Sequence, residues 1–314
     1  MNYSTINNQQ TKYRNTMNNR YDFVYLFDCK DGNPNGDPDA ANSPRIDPQD
    51  MRGLVSDVCL KRKIRDYVLK VGGAGHDIFV QTKSPLNPRI AEVCKEAELP
   101  DFKKGDGKWD TDKAKGRSQK DIRTLQSLLC KRYYDVRTFG AVMSTGPNAG
   151  QIRGPVQITF SRSIDAILPL DLCITRVTDT DKEEGEMGRK NLIPYGLYRC
   201  HGFISAHLAN DTKFGDDDLA ILFRALCGRA NVQEEFTSSM FDHDHSASRG
   251  TMSPQKLIAF KHQSALGNAP AHKLFERVTV QRKSDVAVAR AFTDYEVGIN
   301  KSGLPTGIEL IEML

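Results

Sequence analysis

Six of the seven residues in Tyr21-Asp-Phe-Val-Tyr-Leu-Phe27 are aromatic or aliphatic, and the run ends in Asp31-Gly-Asn-Pro-Asn-Gly-Asp-Pro-Asp39. A segment that short, rich in strand formers and stopped by a Gly/Pro/Asn/Asp cluster, predicts a strand followed by a rigid loop. Leu54-Val-Ser-Asp-Val-Cys-Leu-Lys-Arg-Lys-Ile-Arg65 then opens a helix. At about 100° per residue, Leu60, Ile64, Tyr67, Val68 and Val71 form one apolar stripe. Lys61, Arg62 and Arg65 share a flank of it, and Lys63 falls elsewhere. Three cations beside a buried stripe suit a phosphate backbone.

Beyond that helix, Gly72-Gly-Ala-Gly75 breaks the pattern. Residues 76–135 hold helical spacing at Arg89–Glu98 and at Ser118–Tyr133, on either side of a Lys/Asp/Gly-rich linker at 103–116, which predicts an inserted helical subdomain. Val156, Ile158 and Phe160 alternate with polar residues, as in a sheet covered on one face. Leu170–Val177 is a further strand, continued by a charged loop over Thr178–Pro194. In a strand Tyr198–Leu208, the side carrying Arg199, His201, Phe203, Ser205 and His207 is polar and cationic with an aromatic centre. It reads either as an open RNA-binding face or as a solvated one. A helix over Asp216–Ala230 and short strands near 256–260, 276–282 and 291–299 complete the chain. Strands and helices interleave without GxGxxG or GxxxxGK[ST], so the fold class is α+β and not a nucleotide-binding parallel sheet.

The net charge of +4 permits a nucleic-acid partner without arguing for one; its distribution is more telling, since Lys103–Arg132 holds ten Lys/Arg against four Asp/Glu. Seven cysteines stand singly with no Cys-x-x-Cys, which fits free thiols in a reducing cytoplasm and no disulfide or zinc framework. No apolar run approaches the ~18 residues of a membrane span. Residues 1–19, rich in Asn, Gln and Thr, are expected to be a disordered tail without a signal peptide, and Met17 is an alternative start.

Several motifs invite chemistry. Asp28, Asp31, Asp37 and Asp39 gather carboxylates that could hold a metal for phosphodiester cleavage, but as a calcium loop the segment has Asn42 where Glu belongs. The alternative job of this loop is shape, a fixed turn that packs on a neighbour or on RNA. Asp242-His-Asp-His245 offers two imidazoles and no third ligand. No metal or cofactor is therefore expected. Gly146, Gly150 and Gly154 either let backbone amides approach RNA, with Ser144, Gln151 and Arg153 nearby, or serve a structural loop.

The order of these residues closely resembles one family, the backbone subunit of the subtype I-C CRISPR interference complex Cascade, in the RAMP superfamily. The likeness continues through Gly140–Gly150, Arg153–Asp165, Met187-Gly-Arg-Lys190, Pro194–His207 and Gly267–Phe275, covering roughly residue 20 onward. It implies an RRM-like (ferredoxin-like) palm at 20–75 and 136–314, a helical finger insertion at 76–135 and a thumb loop at 178–194. It also implies a noncatalytic protein that polymerises as a helical filament along guide RNA and presents the guide to target DNA. Its partners would be the RNA-processing endonuclease subunit, the large and small subunits and a recruited helicase-nuclease. Arg45, Arg52, Lys61, Arg62 and Arg65 would grip the RNA backbone, with Ser56 either capping the helix or touching a phosphate. Arg199 and His201 would face RNA from the sheet. In the thumb, Met187 would wedge between bases with Arg189 and Lys190 on phosphates, or else pack back on the palm. Relatives in type III complexes cut RNA with an Asp of the corresponding loop, so a metal-dependent ribonuclease is the competing expectation.

Overall fold

The computed structural model describes residues 17–175, 177 and 187–314. The strand β1 (Tyr21–Gly32) lies inside the main sheet, paired antiparallel on both edges, with Tyr21 opposite Ile204 on one side and Lys261 on the other. Because both edges are occupied, it continues past Phe27 to Gly32. Asp28 is accommodated by accepting a hydrogen bond from the Tyr195 hydroxyl at 3.0 Å, while burial raises its pKa. Phe23, Tyr25, Phe27 and Cys29 enter one apolar cluster, and Val24 and Leu26 another on the opposite face. A strand covered on both faces has no polar side to alternate with. Of the expected tail, residues 1–16 lie outside the described residues, whereas Met17 is buried in the first cluster.

β2 (Gly36–Asp37) and β3 (Ser43–Pro44) pair around one 3-10 turn, and β4 (Arg52–Val55) leads into α1 (Asp57–Val71). Ser56 caps this helix, its Oγ accepting from the Cys59 N–H at 3.2 Å. Leu60, Ile64, Tyr67 and Val68 are buried, but Val71 is exposed because the helix stops there, the Gly72 N–H bonding back to the Val68 carbonyl.

After α1 come α2 (Leu86–Glu96), α3 (Thr111–Lys115) and α4 (Gln119–Arg132), followed by α5 (Tyr134–Phe139) and a hairpin of β5 (Gly140–Met143) and β6 (Gly150–Arg153). Ile90, Val93, Leu125 and Leu129 form a third cluster that also takes in Met143 and Ala149, so helices and hairpin share a core. β7 (Val156–Ile158) and β8 (Ser161–Ala166) rejoin the main sheet. Phe160, expected to continue the apolar alternation, is 57% exposed, because the chain leaves one strand for the next at that point.

β9 (Leu170–Thr175) and β10 (Met187–Ile204) form a hairpin with Leu170 opposite Leu192 and Thr175 opposite Met187. The segment read from sequence as loop is thus strand from Met187 onward, and 178–186 lies outside the described residues. β10 also ends at Ile204 and not at Leu208, because Ser205 caps α6 (Ala206–Thr212), its Oγ accepting from the Leu208 N–H at 3.3 Å. Ser205 and His207 therefore leave the sheet.

α7 (Asp216–Cys227) packs beside α1, and β11 (Thr251–His262) pairs with β1. On the opposite face lie α8 (Ala271–Phe275) and the hairpin β12 (Val278–Arg282) and β13 (Tyr295–Ile299). β14 (Ile308–Glu312), missed in the sequence, adds an edge strand to β11. Among the described residues the main sheet has eight strands in the order β14-β11-β1-β10-β8-β4, with β7 and β9 also on β10. The architecture is α+β with a central antiparallel sheet.

Candidate nucleic-acid interface

The cations of α1 are held by carboxylates. Lys61 lies 2.9 Å from Asp57, Arg62 lies 3.1 Å from both Asp66 and Asp244, and Arg65 lies 2.8 Å from Asp135. Lys61 and Arg65 also stand over the Phe139 ring at 5.6 and 5.4 Å. The exposed Arg62–Asp66 pair exchanges readily; Lys61–Asp57 is less exposed, at 15% and 23%, and Arg65 is different again. Asp135 is buried and accepts from the Phe79 and Val80 N–H groups at 2.7 and 3.0 Å, so withdrawing Arg65 would strand a buried charge. Lys63, expected off the flank, is sealed at 1% exposure against Asp244 and Phe241, because the 239–250 loop folds over that side of the helix. Arg45 pairs with Asp37 at 3.4 Å and Arg52 with Asp50 at 3.6 Å. Of the two roles open to Ser56, its hydroxyl takes the cap.

A second basic region lies on α4 and β6. The Gln126 side chain donates to the Gln151 carbonyl at 3.1 Å, which lays the hairpin along the helix. Ser144, Gln151 and Arg153 are exposed there, as are Lys120, Arg123, Thr124 and Ser127 along a shallow groove on α4. Among the described residues, Lys120, Arg123 and Arg153 have no carboxylate partner. The glycines have a chain-packing reason: a Cβ at Gly154 would come 2.3–2.5 Å from the 138–140 backbone, and Gly150, at φ 72°, abuts Ile122.

In the β9–β10 hairpin, cross-strand register sorts side chains by face. Met187 and Arg189 share a face with Cys173 and Asp171, Met187 Sδ lying 4.0 Å from Cys173 Sγ and Arg189 3.1 Å from Asp171. Lys190 is opposite Leu172 on the other face, so the two cations do not flank Met187 together. Met187 is 72% exposed and does not pack back on the sheet.

The sheet face carrying Arg199 and His201 is covered and not open. Arg199 donates to the Phe275 and Val278 carbonyls, each at 2.8 Å, and its Nε donates to His201 Nε2 at 3.1 Å. His201 stacks on Phe275 with centroids 4.1 Å apart. Burial first, then the Arg199 charge, pushes the His201 pKa down to about 4. What stays open is a cavity of about 820 Å³ beside these residues. As for the loop carboxylates, Asp28 bonds Tyr195, and Asp37 caps the 3-10 turn and pairs with Arg45. Among the described residues no group of three metal-ligating side chains occurs, His243 and His245 included.

With this geometry in view, the family described as CRISPR-associated protein Cas7 matches residues 19–300. The chain belongs to the Cas7 family. A CRISPR-associated protein Cas7 from Haloferax volcanii is 28% identical over 226 residues, covering 68% of this chain and 65% of the relative, so the chain spans just under two thirds of that protein's length. A solved chain of a CRISPR RNA-guided surveillance complex in a pre-nicking state is similar at a TM-score of 0.50 and 15% identity, over 77% of this chain and 78% of that one. That likeness is one of fold.

Two features of this Cas7 chain escaped the sequence. The α4 cations without a carboxylate partner among the described residues were legible in principle, since Lys120, Arg123 and Lys131 fall on one side of a helical pattern. Arg249 had no local signal, because it meets Arg62 only through Asp244.

Proposed function

We propose that this Cas7 chain is a noncatalytic guide-RNA-binding subunit. Copies of it polymerise along CRISPR RNA as the backbone of a type I-C Cascade complex in the cytoplasm, alongside the other Cascade subunits and the recruited helicase-nuclease. The sheet with α1 and α7 acts as an RRM-like palm, 76–135 as the finger and the β9–β10 hairpin as the thumb. The observation that carries this reading is β10 itself. Its C-terminal half is buried in the palm, and its N-terminal end leaves the core as a ribbon displaying an exposed Met187 beside Arg189. An apolar side chain on a rigid, cationic mount is what a wedge between bases requires. Backbone contacts from Arg62, Arg45, Arg52, Gln151, Arg153 and Lys190 set geometry, while base pairing reads the sequence.

The experiment is coexpression with a CRISPR repeat array. Purified protein is expected to carry small RNA of uniform length, and protein free of RNA, or bound to fragments of random length, overturns the reading. The ribonuclease alternative predicts manganese- or magnesium-dependent cutting that disappears in Asp37→Ala or Asp39→Ala. The engagement of Asp28 and Asp37 within the fold supports the noncatalytic reading.

A further inference from the structure

Around Asp244 the pairing of charges is unequal. Its carboxylate is shared by Arg62, Lys63 and Arg249, and among the described residues the only other acid bonded to this group is Asp66, on Arg62. Three cations thus face two carboxylates. Lys63 is sealed inside, so the surplus positive charge lies with the two guanidinium groups. Both of these line a polar cavity of about 380 Å³, enclosed by the turn after β1, the first half of α1 and the loop bearing Ser246 and Ser248. Arg249 engages Asp244 through Nη1 alone, and its Nε and Nη2 have no acceptor among the described residues. A guanidinium offers five donors in a fixed fork suited to an oxyanion. On the same wall, the buried Asn33 Oδ1 also lacks a partner; as an acceptor it would take a hydrogen bond from a ribose 2′-OH of the strand and not from its phosphate.

We infer that this cavity is a phosphodiester pocket, in which Arg62 and Arg249 hold one backbone phosphate of the bound RNA strand. The inference rests on the guide-binding reading above and adds to it a place, a donor pair and a residue, Arg249, far from the basic helix in sequence.

The test compares RNA affinity across salt concentrations for the wild type, Arg249→Gln and Arg249→Lys. Loss of one contact to single-stranded RNA is expected to lower the salt slope by about 0.7 in Arg249→Gln, with the slope kept in Arg249→Lys. Ser248→Glu guards against a folding defect in the arginine variants, because Ser248 makes only a backbone bond to the Asn33 N–H and stands outside the ion-pair group. Its carboxylate should weaken RNA binding roughly tenfold at low salt, with the loss fading as salt rises. An unchanged slope in folded Arg249→Gln, or wild-type affinity in Ser248→Glu, overturns the pocket while leaving RNA binding by the protein intact. Absence of RNA binding by the wild type overturns the guide-binding reading and the pocket with it.

Discussion

The helices α1 and α4 both carry a buried apolar stripe and a row of cations, yet they present different surfaces. Lys61, Arg62, Lys63 and Arg65 on α1 all have carboxylate partners, two of them brought from distant parts of the chain, Asp135 and Asp244. On α4 only Arg132 is so engaged, with Asp77, Glu92 and Glu96, while Lys120, Arg123 and Lys131 have none among the described residues. A count of basic residues therefore overstates what α1 offers a polyanion. Neutralisation depends on what packs against a helix, and α1 is wrapped where the outer side of α4 is bare. The group around Asp244 is the exception on α1, because there three cations share two carboxylates, Asp244 and Asp66.

The largest expected effect comes from the wrapped side. Asp135→Ala would leave Arg65, the buried Phe79 N–H and the part-buried Val80 N–H without their acceptor, and should lower unfolding free energy by about 3–5 kcal/mol in denaturant titration. A loss under about 1 kcal/mol would show that Arg65 is free to leave, collapsing the contrast with α4. Next, replacing Lys120, Arg123 and Arg153 together with Ala should flatten the salt dependence of RNA binding by roughly two units, at about 0.7 per contact. Lys61→Ala should change it by far less, since Asp57 already neutralises that cation. Equal slopes for the two variants would erase the distinction.

Arg199 extends the comparison to the far face of the sheet, where burial first and the covered Arg199 cation second hold down the pKa of His201. Because the folded imidazole titrates near 4 and the unfolded one near 6.5, the unfolded chain binds more protons between those values. Stability is then full above about pH 6.5 and falls as pH drops toward 4, by on the order of 1 kcal/mol once the partial exposure of His201 is allowed for. His201→Gln should remove that part of the acid sensitivity, and a variant as acid-sensitive as the wild type would mean that His201 is not protected from protonation. The smallest effect on affinity is expected from Met187→Gly, because phosphate attraction supplies most binding. Chemical probing of the bound guide should nonetheless lose its regularly spaced hyper-reactive nucleotides. A pattern that survives the substitution assigns the wedge to another side chain.

Where local rules and tertiary contacts agree, the sequence was legible. Ser56 and Ser118 mark helix starts, with Ser118 Oγ accepting from the Asp121 N–H at 3.1 Å, and Leu125 and Leu129 bury at helical spacing. Legibility failed where pairing overrides propensity. Residues 187–194 contain Gly188, Lys190, Asn191 and Pro194, poor strand formers, and they extend because β9 and β1 hydrogen-bond them. The polar face of β10 misled for a related reason. Alternation shows which side chains share a face, but it cannot show that α8 and β12 will cover that face.

The sequence by itself determined the α+β character, the strand–loop–helix opening, the helices α2 and α4 and most residues of their apolar stripes, because periodicity and capping act over one or two turns of chain. Only the tertiary structure decided which cations keep their charge available. Arg65 meets Asp135, and Lys63, Arg62 and Arg249 meet Asp244, across separations of 70 to 182 residues or through a loop with no repeating pattern. Electrostatic partnership is a matter of distances of a few ångströms between such segments, and those distances exist only once the sheet has brought them together.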